Sequence, residues 1–198
     1  MNTRYIPCVA YRRTEQVEAR LEASREAVLA AGLTLLADGG WAAVTVRAVA
    51  DAAGVSTGSV YARFPGGKDD LGVEMFRAAA AREVAAVEAA PDVPTAVEVF
   101  ARRALARPRL AFALLVEPAA PAVEAERLVF RRAHRDVFAR LVAETTGRRA
   151  DDVAVLVAAA AVVGAVGEAL VTPVAKSALV PALVELCVRA LPPTVEAP

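Results

Sequence analysis

Histidine is nearly missing from this sequence, with His134 the single example. One imidazole excludes a multi-histidine metal site and argues against histidine-based catalytic triads. Cysteine is almost as scarce. Cys8 and Cys187 lie near opposite ends of the chain, which makes neither a disulfide framework nor a metal knuckle and suits a reducing cytosol. Net charge is missing too: 23 Lys and Arg balance 23 Asp and Glu, so no whole-protein field points to nucleic acid or an anionic membrane. The longest uncharged apolar run, from Val153 to Gly167, is shorter than the roughly 20 residues of a spanning helix. It is expected to be a helix buried on most sides, inside a domain or against a partner. Near the N-terminus, the apolar run from Tyr5 to Tyr11 is broken by Pro7 and followed by Arg12, Arg13 and Glu15, so no signal-peptide core is expected. A soluble, cytoplasmic protein with no membrane partner is the expectation.

What the sequence does contain is apolar side chains at helical spacing. Hydrophobic residues make up 57% and charged residues 23%, which excludes disorder driven by charge. A chain of 198 residues can form one ordinary domain or two small ones. Val17, Leu21, Val28, Gly32 and Leu36 recur along a first helix that Gly39-Gly40 should stop. A second run from about Asp69 to Ala89 carries Leu71, Met75, Ala78 and Ala79 on one face. Pro91 and Pro94 separate it from a helix bearing Val97, Phe100, Ala101 and Leu105, which Pro108 breaks. A short helix from Leu110 to Val116 follows. A charged helix from Val123 to about Glu144 is then expected to bury Leu128, Phe130, Ala133, Val137, Phe138 and Leu141. Val153 to Val171 and Leu179 to Leu191 make a closing helical pair across Pro173. No stretch alternates as a strand and no repeat appears, so the expected fold is all-α with about nine helices.

The segment from Thr45 to Lys68 carries the most information. Thr45 is a good N-cap, and Val46, Val49, Ala50 and Ala53 follow at i, i+3, i+4 and i+7. Gly54 supplies the backbone conformation a sharp turn needs. Ser56 is a second N-cap, opening a helix from Thr57 to Arg63 that ends before Pro65. Val60 and Phe64 share its inner face, leaving Thr57, Gly58, Ser59 and Ala62 outward. Two short helices joined by a tight glycine turn, the second with a slim polar face, describe a helix-turn-helix. A slim leading face suits the major groove, where Thr57, Gly58 and Ser59 would meet base edges. Tyr61, Thr45 and Lys68 are placed to grip phosphates, with Arg47 and Arg63 adding local positive charge against Asp51 alone. Spacing alone equally describes two capped helices of a bundle with Tyr61 half buried. A phosphate-binding loop at Gly66-Gly67-Lys68-Asp69 is excluded, because Ala62 replaces the earlier glycine, Asp69 replaces the hydroxyl residue and no strand precedes it.

The run Thr45-Val-Arg-Ala-Val-Ala-Asp-Ala-Ala-Gly54-Val-Ser56-Thr-Gly-Ser-Val-Tyr61-Ala-Arg-Phe64, followed by Lys68, resembles the DNA-binding domain of the tetracycline-repressor (TetR) family. The resemblance covers roughly the first ninety residues. Pro65-Gly66-Gly67 places one more residue between Phe64 and Lys68 than the commonest form of that family. The resemblance implies a homodimeric, ligand-responsive repressor on a palindromic operator, contacting double-stranded DNA through Thr45, Arg47, Ser56, Thr57, Gly58, Ser59, Tyr61, Ala62 and Lys68. It divides the chain into an N-terminal arm (1–16), a DNA-binding domain (17–68) and a helical effector-binding and dimerisation domain (69–198). Arg12 and Arg13 in the arm are either minor-groove contacts or incidental charges of a tail.

In the helical domain, Phe100, Phe112, Leu115, Phe130, His134 and Phe138 are candidates for a small, apolar effector, since aromatics plus one polar group suit such a ligand. Each is more readily read as core, and His134, among Arg131, Arg132, Arg135 and Asp136, as solvated or helix-paired. The small residues Ala158 to Ala161, Gly164, Ala165 and Gly167 permit close approach of another helix. Leu179, Leu183, Leu186 and Val188 add larger groups to the last helix. Ala161, Gly164, Glu168, Leu183 and Leu186 are the expected dimer contacts in a four-helix interface. No cofactor, metal or catalytic residue is expected. The alternatives are a small all-α enzyme using the same cavity, against which the lack of any acid–base pair argues, and a helical interaction protein.

Overall fold

The structure is a computed structural model that describes residues 15–172 and 176–189. The expected arm, Arg12, Arg13, Cys8 and the Pro173 connector lie outside the described residues. Among the described residues there are nine α-helices and no strand.

Helix α1 (Glu15–Ala43), α2 (Val46–Ala53) and α3 (Thr57–Arg63) form the N-terminal unit. The glycine pair does interrupt α1: Gly40 leaves helical geometry at φ 68°, ψ −168°. A side chain there would collide with the Glu117 carboxylate, 2.6 Å from an ideal Cβ, so the break also admits a contact from the second unit. Val28, Leu36, Val44, Val49, Val60, Phe64 and Leu71 bury almost completely together, making one apolar centre shared by α1, α2, α3 and the start of α4 (Lys68–Glu88).

The second unit comprises α4, α5 (Val93–Ala106), α6 (Pro108–Leu115), α7 (Pro121–Thr146), α8 (Val153–Val171) and α9 (Lys176–Val188). Asp92 caps α5 by accepting from Thr95 N at 2.8 Å, which holds its carboxyl below the ordinary range. Pro108 begins α6, its missing N–H costing nothing at a helix start, where sequence reading had it only as a breaker. Helix α7 packs on α4 and α8 and forms the spine of the unit.

Two expectations for these helices are corrected. On α7, Leu128 is 55% exposed, and Arg127 is the buried neighbour, at 5%. Helix α8 is long and apolar enough to cross a membrane, but less than half of it is buried. Its inner face, with Val155, Ala159, Val162 and Val166, packs inside the unit. Its outer face carries Val153, Val157, Ala160, Gly164, Glu168 and Val171, a continuous exposed stripe at helical spacing.

Candidate nucleic-acid interface and effector domain

Local chemistry shapes the interface. Thr45 stands in extended geometry and its hydroxyl accepts from Ala48 N at 3.1 Å, starting α2. Gly54 adopts the left-handed conformation (φ 66°, ψ 31°), and Val55 N donates back to Ala50 O at 3.0 Å, the closure that turns the chain sharply. Ser56 then caps α3 by accepting from Ser59 N at 3.0 Å. Each such cap contributes about 1 kcal/mol. Val49, Ala50, Val60 and Phe64 anchor both helices inward, so the orientation of α3 follows from buried apolar contacts.

The outer face of α3 is the one expected. Thr57, Gly58 and Ala62 are exposed, and Tyr61 is 52% exposed. Ser59 is half-buried and shares a 2.9 Å hydroxyl–hydroxyl contact with Ser56. Arg47 projects almost freely from α2, only weakly paired with Asp51 at 4.0 Å. Lys68 is differently employed: its ammonium donates to the Trp41 carbonyl at 3.3 Å. Arg63 donates to the Ser59 carbonyl at 2.9 Å, adding its charge near the carbonyl end of α3.

Two contributors are not singled out by sequence reasoning. Gly67, at φ 65°, lies under the Tyr61 ring; an added Cβ would come within 3.1 Å of it. The extra residue after Phe64 therefore forms a seat for the tyrosine, with Gly66 N donating to Asp70 at 2.6 Å. Trp41 joins the two units. Its Nε1 donates to the Ala113 carbonyl at 2.9 Å, and its backbone N donates to Glu117 at 3.2 Å, both groups belonging to the end of α6 or the loop after it.

Arg127 braces the same place from the other side. It donates to the carbonyls of Leu114 (2.9 Å), Ala113 (3.1 Å) and Glu117 (2.6 Å), and to Glu124 at 2.6 Å. Arg131 adds the Leu115 carbonyl at 2.9 Å. The carbonyls left free where α6 ends are thus met by charged donors, which are stronger than neutral ones.

Of the effector candidates, Phe100, Phe130, His134 and Phe138 come together. The Phe100 and Phe130 ring centroids lie 4.8 and 4.2 Å from that of His134, and Phe138 lies 6.1 Å from Phe100. Of these, Phe100 and Phe130 meet Leu115 at a cavity also lined by Glu83, Arg103, Arg107, Leu110 and Leu114, whereas His134 and Phe138 do not line it. Nor does Phe112: it is half-buried and faces a separate recess beside Gly39, Gly40 and Arg109. At the cavity, Glu83 and Arg103 form a two-point ion pair (2.7 and 2.8 Å) that raises the arginine pKa.

His134 is fully buried, and burial pushes its pKa down to about 4, against small raising effects from the Phe130 carbonyl and Glu83. An unfolded histidine titrates near 6.5, so between those values the unfolded chain takes up a proton that the folded chain refuses. Stability should therefore fall as pH drops through this window, by up to about 3 kcal/mol at pH 4. Replacing His134 with the similarly sized Leu should flatten that part of the profile. Chemical denaturation of both proteins at pH 7 and pH 5 checks it; equal losses in the two would contradict it.

The dimer candidates divide. Gly164 and Glu168 are exposed on the α8 stripe, and Glu168 accepts from the Thr172 hydroxyl. Ala161 and Leu186 are half-buried. Leu183 turns into its own protomer, beside Cys187, whose thiol pKa burial pushes up to about 11. Ala178, Pro181, Ala182 and Glu185 form the exposed face of α9 instead. A groove of about 490 Å³ runs beside the stripe, with Leu115, Leu128 and Val163 as apolar lining and Arg131, Arg132 and Arg135 on the α7 side. Among the described residues, no group of three His, Cys, Asp or Glu could hold a metal ion.

A helix-turn-helix with a slim exposed second helix, joined to a larger helical unit, is an arrangement suited to DNA binding. Residues 28–75 match the family model of bacterial regulatory proteins of the tetR family. FadR of Bacillus subtilis, solved in complex with stearoyl-CoA, is similar in fold at 16% identity, with a TM-score of 0.65 over 83% of this chain and 98% of that one. The fatty acid degradation regulator FadR of Bacillus halodurans is similar at 17% identity and a TM-score of 0.61, over 82% and 97% of the two chains. A TetR transcriptional regulator of Rhodococcus sp. RHA1 is similar at 22% and 0.60, over 86% and 95%. No curated relative matches the sequence. The match to the tetR family model thus lies in the helix-turn-helix segment, and the chain as a whole shares the fold of these solved structures.

Proposed function

We propose that this protein is a cytoplasmic, non-enzymatic repressor that binds a palindromic operator as a homodimer and releases it when a small effector enters the helical domain. The observation that carries the reading is the two-sided α3. Val60 and Phe64 are buried, while Thr57, Gly58 and Tyr61 are open to the groove of a half-site. Thr45 and Ser56 serve as caps, and Arg47 is an exposed cation available to a phosphate.

Dimerisation is supported by the α8 stripe, where Val153 is 74% and Val157 63% exposed. A contiguous apolar stripe of that kind marks a surface that a partner covers. The effector reading is supported by the aromatic cavity and, at one remove, by the stearoyl-CoA held by the Bacillus subtilis neighbour. Leu110, Ala111, Leu114 and Leu115 of α6 form one wall of that cavity, and the end of α6 is bonded to Trp41 in α1. An effector that displaces α6 therefore moves the base of the helix-turn-helix. It shifts DNA affinity only by its differential affinity for the two arrangements.

Gly164→Glu tests the assembly. An added Cβ at Gly164 meets nothing within 4 Å in one protomer, so the variant should fold, while its carboxylate obstructs a second helix. Light scattering at micromolar concentration should show a dimer for the parent and a monomer for Gly164→Glu, with operator affinity lost in step. A monomeric parent that binds a palindrome at full affinity would refute the assembly.

A further inference from the structure

The effector domain contains one polar atom whose bonding requirement is unmet. His134 Nδ1 lies 3.3 Å from the Phe130 carbonyl oxygen. A carbonyl has no proton to give, so Nδ1 carries the ring hydrogen of the neutral imidazole, and Nε2 is left as a bare lone pair. Nε2 has no partner, on a side chain with no exposed surface. Buried acceptors are ordinarily satisfied, and an exception inside a binding domain marks a place where something else is meant to donate.

The surroundings specify what that donor is attached to. Phe100 and Phe130, which flank the imidazole, are also walls of the cavity between α4, α5, α6 and α7. Ala104, Leu110, Ala111 and Leu114 complete an apolar lining. Glu83 is occupied on both oxygens by Arg103, and the exposed Arg107 is a further cation on the lining. The cavity is about 40 Å³, room on the scale of a water molecule, so an organic ligand enters only by turning aside Phe100 or Phe130. Either movement opens the cavity toward the imidazole that the ring had covered.

We propose that the effector is a small, largely apolar molecule with one hydrogen-bond donor, of the phenol or alcohol class, which displaces Phe100 or Phe130 and donates to His134 Nε2. This rests on the reading of the helical unit as an effector domain. A carboxylate brings only lone pairs to a lone pair, and a pure hydrocarbon leaves the acceptor bare. His134 Nε2 therefore selects against both.

The test uses three probes of matched shape, 4-ethylphenol, ethylbenzene and 4-ethylbenzoate, with stearoyl-CoA as a fourth arm, titrated calorimetrically into the full chain. 4-Ethylphenol should bind about tenfold or more tighter than ethylbenzene, and 4-ethylbenzoate weaker than 4-ethylphenol. His134→Leu should erase the phenol's advantage while keeping ethylbenzene binding. Because His134 is the single histidine, its Nε2 gives one nitrogen resonance, which should shift when 4-ethylphenol binds the parent. Equal binding of phenol and hydrocarbon, binding of none of the three, preference for stearoyl-CoA, or an unmoved Nε2 resonance would each overturn the proposal. Running the same probes against operator-bound protein separates the two levels. Release by stearoyl-CoA alone keeps the effector domain and rejects this ligand class, whereas phenol binding with no change in DNA affinity keeps the site and rejects its regulatory role.

Discussion

Alanine at both Thr57 and Tyr61 is expected to lower affinity for a cognate operator by about 100-fold or more, with each lost contact contributing about 1–3 kcal/mol. Both residues are exposed on the outer face of α3, and neither belongs to the centre formed by Val49, Val60 and Phe64. Thermal unfolding should therefore move little, since Thr57 is exposed and Tyr61 is half exposed above Gly67. Binding to unrelated DNA should fall less than binding to the operator, because the lost contacts include base reading as well as phosphate grip. Fluorescence anisotropy with both DNAs, beside a melting curve, separates these effects. Unchanged operator affinity would show that α3 does not face the groove. A Phe64→Ala protein is the informative contrast, because it should lose DNA binding by losing the fold: truncating a buried phenylalanine costs about 3–5 kcal/mol.

The largest stability loss outside the apolar centre is expected at Arg127. Arg127→Met keeps much of the side-chain length but removes the donors to Ala113, Leu114 and Glu117 and leaves their carbonyls without that partner. Hydrogen bonds from a charged group contribute about 1.5–3 kcal/mol, and buried groups left unpaired carry their own desolvation cost. A net loss of about 3 kcal/mol is expected, which for a chain of this size lowers the melting temperature by roughly 6–12 °C. The same carbonyl of Ala113 receives the Trp41 indole, so Arg127→Met should also loosen the joint between the two units. Hydrogen exchange should then rise at the end of α6 and in the segment after it. A melting temperature within a degree or two of the parent would mean that water satisfies those carbonyls as well as the guanidinium does.

The helix-turn-helix was legible because its determinants are local. Thr45, Gly54 and Ser56 act within four residues of themselves, and the apolar positions of α2 and α3 follow helical spacing. Helix α7 was only partly legible. Its sequence mixes charge and apolar residues all round, so a rotation of one position exchanges Leu128 for Arg127 on the inner face. A buried arginine is stable there because α6 brings its terminal carbonyls against it, a long-range arrangement that spacing does not encode. The burial of His134, which was left open between effector contact, core and solvated readings, was recoverable in part: it falls midway between Phe130 and Phe138 at four-residue intervals, and those two are buried. Phe112 was grouped with the other aromatics by composition, but Pro108 starts α6 in a direction that turns it to another recess. The exposed stripe of α8 was only partly visible as smallness, since of the small residues only Ala160 and Gly164 are exposed on it, whereas the inward turn of Leu183 depends on how α9 settles on α5 and α8.

The central claim is that this protein reads DNA sequence through α3, and binding to the DNA upstream of its own coding sequence tests it most directly. Anisotropy at several salt concentrations, against a scrambled duplex of equal length, should show selective binding by a factor of about 10³ or more. Both affinities should weaken as salt rises, because phosphate contacts release counterions. Equal, weak binding to the two duplexes, persisting across a library of palindromic sites and in ligand-free protein, would contradict the account and leave the helix-turn-helix with a structural role alone.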